Sequence, residues 1–274
     1  MRVVKFSHVL VLVVLSALII LAAACSEGNR KETPTHSPPP AAGSIPAATA
    51  FVPEVPSSFT EMPTAEDVER FRSAVRNALT ENRPLHSLFR RVSASPEMSA
   101  ALALKPTDVV ADIGCGTGGF QMYMLEKSVP FAKMYAVDID LAAIDFLRFM
   151  LKESELPGNE KIVPVHSTMA DVHLPPDSID VMLVLNTPFY NSMMNNLSPV
   201  GDAAADCMQS MRRAMKTGGR LHVLESQRRD LRDAFPIITG AFTAAGFKFE
   251  KKELLTIPVE NGGVAPHFHV VFVN

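Results

Sequence analysis

Three cysteines in 274 residues are too few for the disulfide framework that holds small secreted scaffolds together. The chain also lacks a basic excess. Its 26 Lys and Arg stand against 29 Asp and Glu, so the broad positive field of sequence-independent nucleic-acid binding is missing and no nucleic acid is expected as a partner. The 14 glycines and 21 prolines are too few and too unevenly placed for a fibrous protein. No internal repeat is visible. What is left is an ordinary globular average, 47% hydrophobic and 20% charged, long enough for one large core or two small ones.

That average conceals three pieces of different composition. Arg2 and Lys5 form a positive start, Val9 to Leu21 an apolar run, and Ala22-Ala-Ala-Cys25 a small-residue cleavage site ending in cysteine. The apolar run is short of the ~20 residues that span a bilayer comfortably. This pattern resembles the lipobox of bacterial lipoproteins, although Ala22 stands where a bulkier residue is usual. The resemblance implies removal of residues 1–24, lipid attachment at Cys25 and a place in the cell envelope, membrane-anchored and outside the cytoplasm. An uncleaved anchor is the alternative. Residues 25–63 hold eight of the 21 prolines, including Pro38-Pro-Pro40, and only Phe51 and Phe59 as aromatics. Such a segment buries too little apolar surface to offset its ordering entropy and reads as a disordered tether. Residues 64–274 are left as the one compact domain.

Within it, Thr64-Ala-Glu-Asp67 has the form of a capping box, and Val68, Phe71, Val75, Ala78 and Leu79 recur at helical spacing. A helix over 64–82 and another over 98–104 make an amino-terminal helical preface, 64–104. Strands are then expected at 108–113, 135–138, 161–165, 179–185 and 220–224, separated by helices over 120–127, 141–152, 203–215 and 230–245. The helix over 203–215 should stop at Gly218-Gly219. Strands at 248–256 and 267–273 close the chain as a hairpin. Alternation of this kind specifies a doubly wound, Rossmann-like α/β sheet of seven strands, mostly parallel, with an antiparallel carboxy-terminal strand.

In such a sheet a ligand lies beyond the carboxyl ends of the strands, where the first strand turns into its helix. The segment Asp112-Ile-Gly-Cys-Gly-Thr-Gly-Gly119 makes that turn, and its glycines let the backbone bend sharply and approach a ligand. Gly114, Gly116 and Gly119 satisfy G-x-G-x-x-G, with Asp138 at roughly the distance of a ribose-binding acid, so a nicotinamide dinucleotide is one reading. Asp112 speaks against it. A pyrophosphate brought to this loop would meet a carboxylate of like charge.

Val109-Val-Ala-Asp-Ile-Gly-Cys-Gly-Thr-Gly-Gly119 resembles the first motif of class I S-adenosylmethionine-dependent methyltransferases. The likeness continues through Leu104-Lys-Pro-Thr-Asp108, Ala136-Val-Asp-Ile-Asp140, Leu174-Pro-Pro-Asp-Ser-Ile-Asp-Val181 and Met215-Lys-Thr-Gly-Gly-Arg-Leu221. It implies S-adenosylmethionine as cofactor. Asp112 and the loop Gly114-Cys115-Gly116 with Gly118 would meet the methionine end, and Asp138 would take both ribose hydroxyls. Ile139 and residues 168–172 would flank the adenine, with Asp171 a candidate for its amino group. Capping of the next helix is the alternative role for Asp112, and Asp140 is read as the cap of the helix starting at Leu141. Cys115 is read as packing within the loop and Cys207 as a helix-face residue.

The acceptor, expected to be a small molecule, should meet the loop after the fourth strand, with Asn186 and Tyr190 as the candidate catalytic positions and Asn186 also near the cofactor. Asn186-Thr-Pro-Phe189 resembles the Asn-Pro-Pro-Tyr/Phe motif of amino-group methyltransferases, with Thr187 replacing its first proline. Met193-Met194 suits an adaptable apolar surface or core packing. His267 and His269 share one face of a strand, but no third ligand is near in sequence, so no metal site is assigned. His166 and His173 flank the expected adenine segment. A non-catalytic envelope protein that keeps a nucleoside-binding fold, and an NAD-linked oxidoreductase, are the competing readings. Oligomeric state is not legible.

Overall fold

The computed structural model describes residues 64–89, 95–187, 200–226, 234–258 and 264–274. Cys25, the leader, the tether, Tyr190 and Met193-Met194 lie outside these residues. Thr64 begins helix α1 (Ala65–Thr80) with a complete capping box: its hydroxyl accepts the Asp67 N–H at 3.1 Å and the Asp67 carboxylate accepts the Thr64 N–H at 3.2 Å. A 3-10 turn (Leu85–Leu88) and helix α2 (Pro96–Leu102) follow. Proline at the first position of α2 costs nothing, because its missing N–H has no partner there anyway.

Then come β1 (Val109–Ile113), α3 (Gly119–Glu126), β2 (Lys133–Asp138), α4 (Leu141–Ser154), β3 (Ile162–His166), β4 (Ile179–Leu185), α5 (Val200–Ala214), β5 (Met215–Ser226), α6 (Ala234–Ala244), β6 (Lys248–Pro258) and β7 (Val264–Val273). The order across the seven-stranded sheet is β3-β2-β1-β4-β5-β7-β6. The first five strands run parallel and β7 is antiparallel to both neighbours. The expected fold class is the observed one. The order reverses at β1, whose carboxyl end is therefore the topological switch point where ligands bind.

Alternation along each strand sends side chains to two cores. Val110, Val181, Leu183 and Leu224 pack under the preface, α3 and α4, whereas Ala111, Ile113, Met182, Val184 and Val223 pack under α5 and α6. Every residue of α3 from Gly119 to Leu125 is buried, as expected of a helix whose side chains there are apolar except for Gln121 and the Tyr123 hydroxyl. The preface is held to it by Glu126, whose carboxylate accepts the N–H groups of Leu85 and His86 and pairs with the His86 ring.

Several element ends shift by two to five residues from the sequence reading, and the shift at the start of β5 changes a residue's role. The helix expected to reach Met215 and stop at Gly218-Gly219 ends at Ala214, and Met215 already pairs with Ile179. The next four residues bulge out before Arg220 resumes pairing opposite Val181. The two glycines therefore serve a β-bulge and not a helix stop. Gly218 has φ +78°, and a Cβ on Gly219 would press on the carbonyl oxygens of Lys216, Ile179 and Asp180 at 2.9–3.2 Å.

Asn274 closes this bulge. Its backbone N–H donates to Gly219, its carbonyl accepts from Gly218, and its side-chain amide donates to the carbonyls of Arg212 and Met215 at 3.2 and 3.0 Å. Asn274→Ala is expected to lower stability by about 1 kcal/mol, since it removes the side-chain hydrogen bonds to the Arg212 and Met215 carbonyls. A shift in the urea midpoint at unchanged slope is the measurement.

Candidate functional site

The loop after β1 is built on the end of β2. The N–H groups of Gly114 and Cys115 both donate to the Val137 carbonyl, at 2.8 and 3.1 Å. The Gly116 N–H donates to Oδ2 of Asp138 at 2.7 Å, and the Asp140 N–H to its Oδ1 at 2.9 Å. Asp138 thus fixes two turns at once. Burial raises its pKa, bonds from the Asp140 and Gly116 N–H groups oppose the rise, and the Asp140 charge adds to it. Asp140 caps α4 by accepting from Ala142 and Ala143, the role read for it in the sequence.

Gly114, Gly116 and Gly118 have φ of +78°, +54° and +94°. A side chain on Gly114 would also collide with Thr187. The Thr187 hydroxyl donates to the Ile113 carbonyl at 3.0 Å, so the residue stitches the end of β4 onto the end of β1. A proline there would lack this donor. Asn186, in the left-handed region with φ +49°, ends β4 and donates its N–H to Leu224. It therefore stands beside the glycine loop, two strands from Asp138.

Asp112 is the most constrained group. It is 2% exposed, on the face of β1 that carries the first core. It does not cap α3, whose amino-terminal cap is Gly118 with no side-chain bond. Its Oδ2 instead accepts from Gln121 Nε2 at 2.7 Å, and its Oδ1 is buried with no partner. Burial lifts its pKa to about 7, against the Gln121 bond that lowers it and with a further lift from Asp138. Sequence reading missed Gln121, although an amide within the otherwise apolar run Phe120–Leu125 was a visible anomaly.

Around Asp138 the surface is apolar. Ile139, Leu141 and Met169 are about half exposed, large side chains that a folded surface would otherwise cover. Ser167 donates its N–H to the Asp138 carbonyl, and Thr168 closes a turn by exchanging bonds with Asp171, so residues 167–172 border the same spot. The Asp171 carboxylate, however, is turned to α5: Oδ1 accepts from Ser210 at 2.9 Å and from the His173 N–H at 2.8 Å, and Oδ2 lies 3.7 Å from Arg213. His166 reaches the Ile139 carbonyl at 3.1 Å, and the His173 ring reaches the His166 carbonyl at 3.0 Å. Both rings brace this edge.

Cys115 and Cys207 are buried thiols whose pKa values burial pushes up, that of Cys207 to about 11. Neither is an activated nucleophile. His267 and His269 do share a face, but His267 faces the Ala265 carbonyl while His269 lies between His222 and Glu253. Among the described residues no group of three or more His, Cys, Asp or Glu is arranged to hold a metal ion.

Asp112, the glycine loop, Asp138 and the apolar rim of Ile139, Leu141 and Met169 thus converge at the switch point. The unpaired Oδ1 of Asp112 calls for a donor or a cation, and the Asp138 carboxylate at the mouth of the loop is an acceptor suited to a hydroxyl. The methyltransferase domain family matches residues 104–260. No curated protein matches the chain. Among solved structures, a Methanosarcina mazei S-adenosylmethionine-dependent methyltransferase superposes with TM-score 0.51 at 14% identity, covering 67% of this chain and 99% of that one. An Aquifex aeolicus S-adenosylmethionine-dependent methyltransferase gives 0.47 at 15% identity, covering 65% and 88%. Matched over more than half its length, the chain belongs to the methyltransferase domain family, and its sheet has the Rossmann-like methyltransferase fold.

Proposed function

We propose that the domain transfers a methyl group from S-adenosylmethionine to a small-molecule acceptor, and that the chain is held to a bacterial envelope membrane by a lipid on Cys25, with the domain outside the cytoplasm. The observation that carries the cofactor reading is the buried, unpaired Oδ1 of Asp112 beside the glycine loop. A methionine ammonium supplies the missing donor and charge there, whereas a pyrophosphate would be repelled. Asp138 would accept the ribose hydroxyls, and Ile139, Leu141 and Met169 would cover the adenine faces. The support for the lipid anchor is the Ala22-Ala-Ala-Cys25 site behind its charged and apolar leader.

S-adenosylmethionine, when bound, offers a methyl carbon already activated by its sulfonium. The protein has to align a nucleophile in line with that carbon and keep water away. Asn186 and Thr187 at the end of β4 stand where an acceptor would approach past the glycine loop, and Tyr190, outside the described residues, follows them in sequence.

Asp112 links binding to pH. Its folded pKa of about 7 lies above its unfolded value, so the folded chain holds a proton that the unfolded chain has lost, and stability of the ligand-free domain falls as pH rises from about 4 to 7. Asp112→Asn removes this penalty. The variant is expected to gain about 4 kcal/mol over the parent at pH 8 and about 1.5 kcal/mol at pH 5, in urea unfolding. In the parent, affinity for S-adenosylmethionine should tighten up to tenfold per unit between pH 5 and 7 as Asp112 loses its proton; in Asp112→Asn binding should be lost.

Calorimetry with S-adenosylmethionine, S-adenosylhomocysteine and NAD separates the cofactor readings. Binding of the first two, abolished in Asp138→Ala, is the expected result, and binding of NAD alone would refute the proposal. Cys25→Ala is expected to abolish incorporation of labelled fatty acid, and labelling that survives the substitution would remove the anchor.

A further inference from the structure

His222, His269 and Glu253 form a hydrogen-bonded chain across three adjacent strands. Nδ1 of His222 on β5 lies 2.9 Å from Nε2 of His269 on β7, and Nδ1 of His269 lies 2.7 Å from Oε1 of Glu253 on β6. The two rings stack with centroids 5.1 Å apart. The strand register places this chain on the first-core face: His269 is opposite Leu224 on one side and Glu253 on the other.

The proton positions follow from the far end. Bonds from His269 and Lys251 hold the Glu253 pKa down, so its carboxylate is ionised and only accepts. His269 must then carry its proton on Nδ1 and present a bare Nε2. His222 must donate from Nδ1 to that nitrogen, which leaves Nε2 of His222 as a lone-pair acceptor. That Nε2 is buried and has no partner, in a residue 1% exposed. A buried acceptor left unpaired is destabilising, so three strands have been arranged to aim an acceptor at something that donates.

Its location says at what. Asp112, Leu183 and His222 occupy one register row across β1, β4 and β5, and their side chains point to the same face. His222 is therefore two strand spacings, about 10 Å, from Asp112, on the β4 and β5 side where the acceptor would approach. Burial, with the charges of Arg220 and Lys251 adding to it, holds the His222 imidazole neutral, with a pKa lowered to about 3. Such a group passes a proton on and does not store it.

Building on the methyltransferase reading, we propose that the acceptor is a protic nucleophile, with O–H or N–H at the reacting atom, and that His222, His269 and Glu253 carry its proton out of the buried site. As the nucleophile bonds to the methyl carbon, the carbon–sulfur bond breaks and its electron pair stays on sulfur, giving a neutral thioether. The proton of the nucleophile moves to Nε2 of His222, the Nδ1 proton of His222 to Nε2 of His269, and the Nδ1 proton of His269 to Glu253. Glu253 is partly exposed and releases it to water. His222 is the group that touches the acceptor; His269 and Glu253 act through it as positioning residues.

Nitrogen NMR of the whole chain with labelled histidine, first alone and then saturated with S-adenosylhomocysteine, tests this with phenol and benzylamine as proton-donating probes. The expected spectrum has His222 protonated at Nδ1 and bare at Nε2, and at least one probe shifts the Nε2 resonance. Glu253→Gln retains an acceptor oxygen and should keep the His222 tautomer and the shift, whereas Glu253→Leu should lose both. A proton on Nε2 of His222, or an Nε2 resonance that neither probe moves, overturns the proposal. The tautomers are read without any cofactor, so a failure of S-adenosylmethionine to bind, measured by calorimetry, is a separate result.

Discussion

A carboxyl group with one oxygen unpaired in the interior is the constraint on which this domain turns. Asp112 sits on the central strand of the sheet, where burial on both faces would favour an apolar side chain. Burial there lifts its pKa to about 7. Gln121 relieves one oxygen and requires α3 to lie flush against β1. That closeness in turn requires the chain to leave β1 through residues of positive φ, and so through Gly114, Gly116 and Gly118. The instability of the empty site and its readiness for a cationic ligand are one property seen from two sides.

The sequence made the scaffold legible wherever the determinants are local. The capping box at Thr64, the cap at Asp140 and the limits of β4 agree with the structure because each depends on neighbours within a few residues. Asp112 and Asp138 were readable as site residues because the strand-to-turn motif fixes their place. What was not legible depends on register. Nothing in the sequence says that Thr187 fills the space over Gly114, or that Asp171 turns to Ser210. Gly218-Gly219 looked like a helix stop because the same residue serves bulges and helix ends, and only the pairing of Met215 with Ile179 decides between them.

The histidines show this most clearly. His267 and His269 alternate on one strand, a pattern that suggests a pair acting together. The structure separates them, and the partner of His269 is His222, 47 residues earlier. Two antiparallel pairings had to be in place before a carboxylate on an edge strand and two imidazoles further in could line up. Polar continuity across a sheet is a tertiary property, and composition offers no trace of it.

The placement of β7 has a consequence for the order of events during folding. The strand latest in sequence is not at the margin but between β5 and β6, and Asn274 follows it to secure the bulge of β5. A nascent chain can pair its first five strands in parallel as they emerge, yet β6 finds no partner until β7 has arrived. The sheet is completed by contacts of long and short sequence separation formed together at the end, so the last step of folding brings the edge and the histidine chain into being at once. The five parallel strands can thus come together before the antiparallel edge, which waits on β7 alone.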